Sequence, residues 1–583
     1  MRGLRQGVSV LALSLLASGI AVGQSVVLFD GQPRNTIVVP DLPSDEERYA
    51  ADELRLHLEL ATDAEWRVTA GGDGTIHIGG TDDELPAETW RRRVVDGQLH
   101  LFGGAPRGTL YAVHRFLEDV VGVRWWTPWD TKIPHHDRLQ VREGEWGGRP
   151  AFPMRDLFDG LDDPIFAARS GLNGHFTKLD RALAPNWQFG SPGYTHTFYK
   201  WIQPESVFDH HPEWFSEHDG RRFHDGGQLC LSDEALRDRI VARLQSNLAL
   251  APRIYSVSQN DWNGACECVP CQELEARAGG KSGAILDFVG EIASRVPELQ
   301  IETLAYGYSA GPPAEATIPP NVILRHSTLK HRDFARPLQH PRNREHLQQL
   351  QRWSQLAETL WVWDYAVHYG SHGDMPFPRL RRMQRDLRLY ERVGVQGIYY
   401  QHDDPLADDL RDLSRWLLAQ WMVDPDRSYR VLVREFTDGF YGDAAPLVRR
   451  YLRLQSRVAR RQRGEIRYRA PTEAFTAIDH RFLERAATLW NAAEAAVPAG
   501  SREHERVQHG RLTLDRATLV RYRQSSRDLS GQRIWPMDTD LSTLIARYRE
   551  TWQREIERRL PESSRAAARA EVEREIRWFL GLN

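Results

Sequence analysis

Two aspartates stand where this sequence would place acid–base chemistry. Asp261 lies in Ser256-Val-Ser-Gln-Asn-Asp-Trp-Asn-Gly, where a predicted strand over 253–258 runs into a polar loop, and Asp364 ends another strand in Trp361-Val-Trp-Asp-Tyr. Hydrolysis of a glycosidic bond needs one protonated carboxyl to donate to the leaving oxygen. It also needs one ionised carboxylate for water or the anomeric carbon, about 5 to 9.5 Å away. Residues at two strand ends have that capacity, because in parallel α/β architectures the carboxyl ends of the strands converge on one face. The flanking Trp363 and Tyr365 are expected to lower polarity around Asp364 and raise its pKa, as suits an acid held protonated. Asp403 and Asp404, after a later strand, are a reserve pair, although adjacent acids before Pro405 are also an ordinary helix start. The assignment of acid and base is open, as is the choice between a retaining and an inverting outcome.

Near the same strand ends fall residues suited to holding a sugar: Trp262, His196, Tyr306, Arg325, His326, Trp363, Tyr365, Tyr400, Gln401 and His402. Flat aromatic rings stack on the apolar faces of sugars. Arg325 with His326 would match a planar uronate carboxylate. His210-His211-Pro-Glu213 invites a metal reading, but contiguous histidines before proline have no recognised ligand spacing, and loop packing fits them better.

Three of the four cysteines crowd the Asp261 loop as Cys266-x-Cys268-x-x-Cys271, and Cys230 follows another predicted strand. An even count in an exported chain favours disulfides. The crowding also suits a structural zinc held by four thiolates, behind disulfides and ahead of free thiols. Either arrangement would brace the loop that presents Asp261, and no catalytic cofactor is expected.

The elements that must position these residues alternate. Between 149 and 442, strands are predicted at 154–158, 175–178, 228–231, 253–258, 301–306, 322–325, 359–365 and 397–401, with amphipathic helices between the later ones. Eight such strands argue for a (β/α)8 barrel with the catalytic machinery on its loops. The long aromatic stretch 179–224 reads as an insertion over the barrel mouth. Before the barrel, residues 24–140 read as a small α/β accessory domain. Its first helix opens with Ser44 and Glu47 in capping-box spacing, and Asp96-Gly97 makes a hairpin turn. After it, residues 443–583 are helical and Arg-rich, as expected of a cap with a solvated basic face.

The first 23 residues have a positive start, an apolar run over 8–22 and small residues before Gln24, the pattern of a signal peptide for export to a periplasm or beyond. No later stretch has a membrane span's length, so a chain free of the membrane after processing is expected. The 583 residues are 41% hydrophobic and 27% charged, as for globular proteins of several domains. A net charge of -4 offers no field for nucleic acid. The 19 tryptophans fit cores and sugar platforms alike.

Gly108-Thr-Leu-Tyr-Ala-Val-His-Arg-Phe-Leu-Glu118 with Gly122-Val-Arg-Trp-Trp-Thr-Pro128 resembles the non-catalytic domain that precedes certain glycosidase barrels. With His211-Pro-Glu-Trp-Phe215, Cys230-Leu-Ser232, the Asn260-Asp261 loop and 436–442, the chain resembles the bacterial family of domain of unknown function 4838. That family is similar in layout to α-glucuronidases and β-hexosaminidases. The resemblance implies a glycoside hydrolase acting on a poly- or oligosaccharide, with acidic or N-acetylated sugars first among its substrates. Two other classes remain: a glycan-binding protein on a glycosidase-like barrel, and a metal-dependent hydrolase.

Overall fold

The computed structural model describes residues 25–33, 36–80, 84–161, 163–177, 179, 183, 187–249, 253–330, 332–370, 375–376, 378–402, 406, 409–531, 533–537 and 540–582. The expected signal peptide and the reserve pair Asp403 and Asp404 lie outside them. Among the described residues no helix is long and apolar enough to cross a membrane.

The N-terminal sheet contains β1 (Ile37–Val39), β2 (Val68–Ala70), β3 (Ile76–Ile78), β4 (Trp90–Val95), β5 (Gln98–Gly103) and β6 (Gly144–Gly148), in the order β6-β4-β5-β3-β1-β2. Helix α1 (Asp45–Thr62) begins with the expected capping box. Glu47 N donates to Ser44 Oγ, and Ser44 N donates to the Glu47 carboxylate. Asp96 and Gly97 both take positive φ, 51° and 75°, so the β4–β5 hairpin closes in two residues. Helix α2 (Gly108–Phe116) buries nearly its whole surface and, after a wide last turn, stops at Gly122 with φ 84°.

The second sheet is parallel throughout, with β7 (Met154–Phe158), β8 (Ile254–Ser256), β9 (Gln300–Ala305), β10 (Val322–Ser327), β11 (Thr359–Tyr365) and β12 (Gly397–Gln401). Its order is β7-β12-β11-β10-β9-β8, so the first strand neighbours the last, as in a curled sheet. Six of the eight expected strands are present. The segment expected as a strand over 175–178 is instead a 3₁₀ turn at His175–Thr177, and 228–231 makes only isolated bridges at its margin, such as Phe215 with Leu229. In the second segment the Gln228 amide bonds the backbone of the Asn260 loop, at Asn260 O and Trp262 O.

Irregular backbone occupies the interval between β7 and β8. Asn173 N and Gly174 N both donate to Arg155 O, Trp187 N donates to Asn173 O, and Gly190 N donates to Ile254 O. A thin seam of hydrogen bonds thus links the two outer strands.

Helices α3 (Glu234–Gln245), α4 (Val269–Ala278), α5 (Lys281–Ser294), α6 (Arg344–Leu356), α7 (Leu380–Arg392) and α8 (Arg411–Val423) accompany this sheet. Beyond them come α9 (Tyr429–Tyr441), α10 (Ala445–Ala459), α11 (His480–Ala495), α12 (Arg502–Gly510), α13 (Leu512–Gln524), α14 (Leu541–Arg559) and α15 (Glu562–Leu580). Their arginines do not all face water as expected. The side chain of Arg559 is 3% exposed and donates from two nitrogens to Asp412 of α8, each at 2.9 Å, and Arg511 is buried against Glu494 and Asp515.

Glu88 joins the N-terminal region to the parallel sheet. Its carboxylate accepts from Arg155 of β7 at 2.9 Å, from Arg107 at 2.7 Å and from Asn173 at 2.9 Å. Trp126 adds an apolar contact, its ring 5.3 Å from Trp416 of α8 and 5.1 Å from Phe436 of α9.

Candidate active site

Alternation along the strands decides which side chains meet inside the curl. Residues paired across parallel strands share a face. Trp361, Trp363 and Tyr365 therefore lie on one face with Arg325, Ser327, Tyr399 and Gln401. Val362 and Asp364 lie on the other, with His326 and Tyr400.

Asp364 is thus turned away from the curl, toward the helices, and the expected pairing with Asp261 across one pocket is not formed. Its side chain is fully buried and saturated: Oδ1 accepts from Thr328 at 2.9 Å, Tyr365 N at 2.7 Å and Arg332, and Oδ2 accepts from Tyr390 at 2.8 Å and Tyr400 at 2.9 Å. Burial pushes its pKa up, but Arg332 and Arg382 outweigh burial and hold the carboxyl below its ordinary range. The expected raised pKa is corrected accordingly: the aromatic flanks point into the curl, and the neighbours that matter are guanidinium groups. His326 is buried behind the sheet, and burial lowers its pKa to about 3. Tyr400 serves Asp364, and His402 is buried beside Ser414 Oγ at 3.3 Å. None of these three is presented to a ligand.

Asp261, in contrast, faces solvent. Its side chain is 63% exposed, and Oδ1 accepts from Tyr306 OH at 2.8 Å with His196 Nε2 at 4.0 Å. The Nδ1–H of His196 donates to Gln259 O at 2.8 Å, which turns Nε2 toward the aspartate. Burial, then the Asp261 carboxylate, push the Tyr306 phenol above its ordinary range, so it remains a donor. Trp262 is 48% exposed next door, and Lys330 Nζ stands 3.3 Å from Asn263 Oδ1 and 5.7 Å from the centre of the Tyr306 ring.

Opposite elements complete a rim. Tyr365 meets Tyr369 edge-on at 6.2 Å, and Tyr369 meets Tyr468 at 5.7 Å. Arg469 N donates to His368 O, which carries a loop from the C-terminal helical region onto this edge. His196, Tyr369 and Arg469 all hold positive φ, at 50°, 54° and 56°. Such backbone is costly for residues with a Cβ and persists where surrounding structure fixes it, commonly at functional sites.

Inside the curl lies a polar core, of which the sequence reasoning named Arg325, Trp363 and Gln401 but missed Asp156 and Glu302. Arg325 Nε is 3.1 Å from Glu302 Oε1, and its guanidinium sits 5.2 to 5.8 Å from the ring centres of Phe189, Tyr194, Trp361 and Tyr399. The expectation of Arg325 open to a uronate gives way to this buried pairing. Asp156 of β7 shares the core and accepts from Phe176 N at 3.2 Å. Burial raises its pKa to about 7, against the lowering effect of Phe176 N and Arg325. Trp363 donates to Gln401 Oε1 at 3.0 Å and leans against Tyr399 in the same interior. A sequence signal existed: Asp156 and Glu302 are carboxylates inside predicted strands, where alternation turns them away from the helical layer.

The His210-His211 run forms no metal site in the described residues. His211 stacks on Trp214 with ring centres 4.0 Å apart and meets Glu213 at 2.9 Å, as loop packing predicts. The four cysteines do converge. All are buried, and their sulfurs lie within 4.8 Å of one another. Their sulfurs approach one another to between 3.4 and 3.7 Å, a shared cluster and not two pairs at the ~2.05 Å of an S–S bond.

Comparison with solved structures places this architecture. The chain is similar to a family GH115 4-O-methyl-α-glucuronidase with specificity for decorated arabinogalactans, at 12% identity and TM-score 0.60, covering 93% of this chain and 78% of that one. It is also similar to a GH20 exo-β-N-acetylglucosaminidase from Vibrio harveyi, at 10% identity and TM-score 0.42, over 71% of this chain and 74% of that one. The N-acetyl-β-hexosaminidase of Streptomyces plicatus matches at 12% identity and TM-score 0.41, over 71% and 91%. No curated protein matches the sequence. At 12% identity and TM-score 0.60, the likeness to the GH115 enzyme speaks to fold alone. The model of the domain of unknown function DUF4838 matches residues 125–453, more than half of the chain, which therefore belongs to that family.

Proposed function

We propose that the protein is an exported glycoside hydrolase that acts on a glycan at the rim around Asp261. In this reading the parallel sheet is a (β/α)8 barrel in which irregular segments stand in for two strands. A 24–140 accessory domain and a 443–583 helical domain flank it. The observation that carries the reading is the Asp261–Tyr306–His196 constellation, an exposed carboxylate held by a phenol, with an imidazole 4.0 Å away, just beyond the carboxyl ends of β8 and β9. Trp262, Tyr369 and Tyr468 supply ring faces for a sugar.

Asp261 is one of the two carboxylates such chemistry needs. Asp403 and Asp404, which follow β12 in sequence, are the proposed source of the other. Acidic and N-acetylated glycans head the substrate class, in keeping with what the similar enzymes are named for.

A second reading has its own support. Asp261 is the only carboxylate among the described residues that the rim contacts above include, which suits a protein that binds glycan without cleaving it. A polysaccharide panel, read for release of reducing ends and for binding, separates the two. Hydrolysis lowered about 10²- to 10⁴-fold in Asp261→Asn, and comparably in Asp403→Asn or Asp404→Asn, is the expected result. Binding without release would favour the second reading, and activity unchanged in Asp261→Asn would remove that residue from the mechanism.

A further inference from the structure

We propose that Cys230, Cys266, Cys268 and Cys271 hold one structural zinc ion, and that this ion fastens the Asp261 loop to the insertion preceding it. The geometry is that of a coordination shell. Cys230 Sγ lies 3.7 Å from Cys268 Sγ and 3.6 Å from Cys271 Sγ, and Cys266 Sγ lies 3.4 Å from Cys268 Sγ. Four thiolates about 2.3 Å from a tetrahedral zinc stand about 3.8 Å apart, so an ion fits among these sulfurs with small adjustments. Two disulfides would sort the sulfurs into two close pairs. Here Cys230 approaches two partners and Cys268 approaches two, which is a cluster and not a pairing.

The surroundings are those of metal-bound thiolates. The four cysteines form a buried group of their own, apart from the apolar cores. Glu217 N donates to Cys266 Sγ at 3.4 Å, Arg222 approaches the same sulfur at 3.6 Å, and Ser232 Oγ stands 3.2 Å from Cys271 Sγ. Such donors disperse charge on coordinated sulfur and orient it. Cys268 caps the N-terminus of α4, and Cys271 sits in its first turn, where the helix favours negative charge. An all-sulfur donor set selects zinc over the hard cations magnesium and calcium, and a closed set of four leaves no position for a reactive water. The ion's work is mechanical.

Its mechanical target is the loop carrying Asp261. Gln228, two residues before Cys230, accepts from Asn260 N at 2.9 Å and donates to Asn260 O at 3.0 Å and Trp262 O at 2.7 Å. Ser216 Oγ donates to Gly264 O at 2.7 Å. The segments so clasped are the ones the four sulfurs tie together, so the ion sets the floor under Asp261 and Trp262. This holds whether or not the rim cleaves a glycan.

Elemental analysis and native mass spectrometry of the full chain, purified without chelator, test the proposal. One zinc per chain is expected, with a mass above the reduced chain by one zinc less the protons its thiols release. Metal-free protein should take up one equivalent of added zinc, and Cys271→Ser should bind it at least tenfold more weakly. Zinc removal should shift Trp262-dependent fluorescence, and readdition should restore it, independently of any hydrolytic assay. A mass lower by four hydrogens with no thiol open to alkylation would overturn the proposal in favour of disulfides. Four free thiols that take up no added zinc, or iron in zinc's place, would also overturn it.

Discussion

Asp156 shows what a single side chain can report about this interior. Its carboxyl is buried beside Arg325 and the Phe176 amide, and its pKa lies near 7 against an ordinary 3.8. The folded state therefore holds this proton more tightly than the unfolded chain. The stability so contributed is fully present below about pH 4 and is lost as pH rises through about 7. Denaturant titrations from pH 4 to pH 8 should show stability falling across that window, and Asp156→Asn should flatten the fall. The same residue marks a limit of the sequence reading. Asp261 was legible because a polar residue after a strand, in a Gly-containing loop, belongs at a strand end. Asp156, and the burial of Arg325, were harder to see, since their setting depends on Phe176 and Tyr194, which come from an irregular segment with no periodicity to read.

Among elements, Asp364 is the tie between β11 and its helical cover. It joins Tyr390 of α7, Tyr400 of β12 and Arg332 beyond β10 in one buried network. Asp364→Asn is expected to destabilise the protein by about 3 kcal/mol, because a buried guanidinium loses its charged partner. A lowered denaturation midpoint with unchanged turnover per folded molecule is the measurement that checks this. The strand itself was legible from end to end, Thr359–Tyr365. Its facing was legible too, since Trp361, Trp363 and Tyr365 share a two-residue period that excludes Asp364. That period, and not proximity to the strand end, decides which way Asp364 faces. The two absent strands failed for another reason. Short apolar runs such as Gln-Leu-Cys-Leu at 228–231 satisfy a strand pattern locally, while Gln228 finds better partners in the Asn260 loop.

At the scale of the molecule, Glu88 is where the N-terminal region meets the parallel sheet. Burial raises its pKa, but Arg155 and Arg107 overcome that and bring it to about 2, below the ordinary 4.5. Its contribution is present above about pH 4.5 and is lost as pH falls toward 2. Glu88→Gln should lose this acid-sensitive step, seen as a flatter fall in unfolding midpoint between pH 5 and pH 3 as followed by tryptophan fluorescence. The order of the three regions was readable from composition and capping, because Ser44–Glu47, Asp96-Gly97 and the helical periodicities are local signals. The contacts between regions were not, since Glu88, Asp130 and Arg559 find their partners far along the chain.

The loop that brings Tyr468 and Arg469 to the rim lies beyond the residues matched by the family model. A chain ending near Gly442 would lack Tyr468 and Arg469 on that edge and would leave Asp412 of α8 without Arg559. The helical region is therefore not a detachable appendage: it lends Tyr468 and Arg469 to the edge near Asp261, in a segment that the family's defining model leaves out.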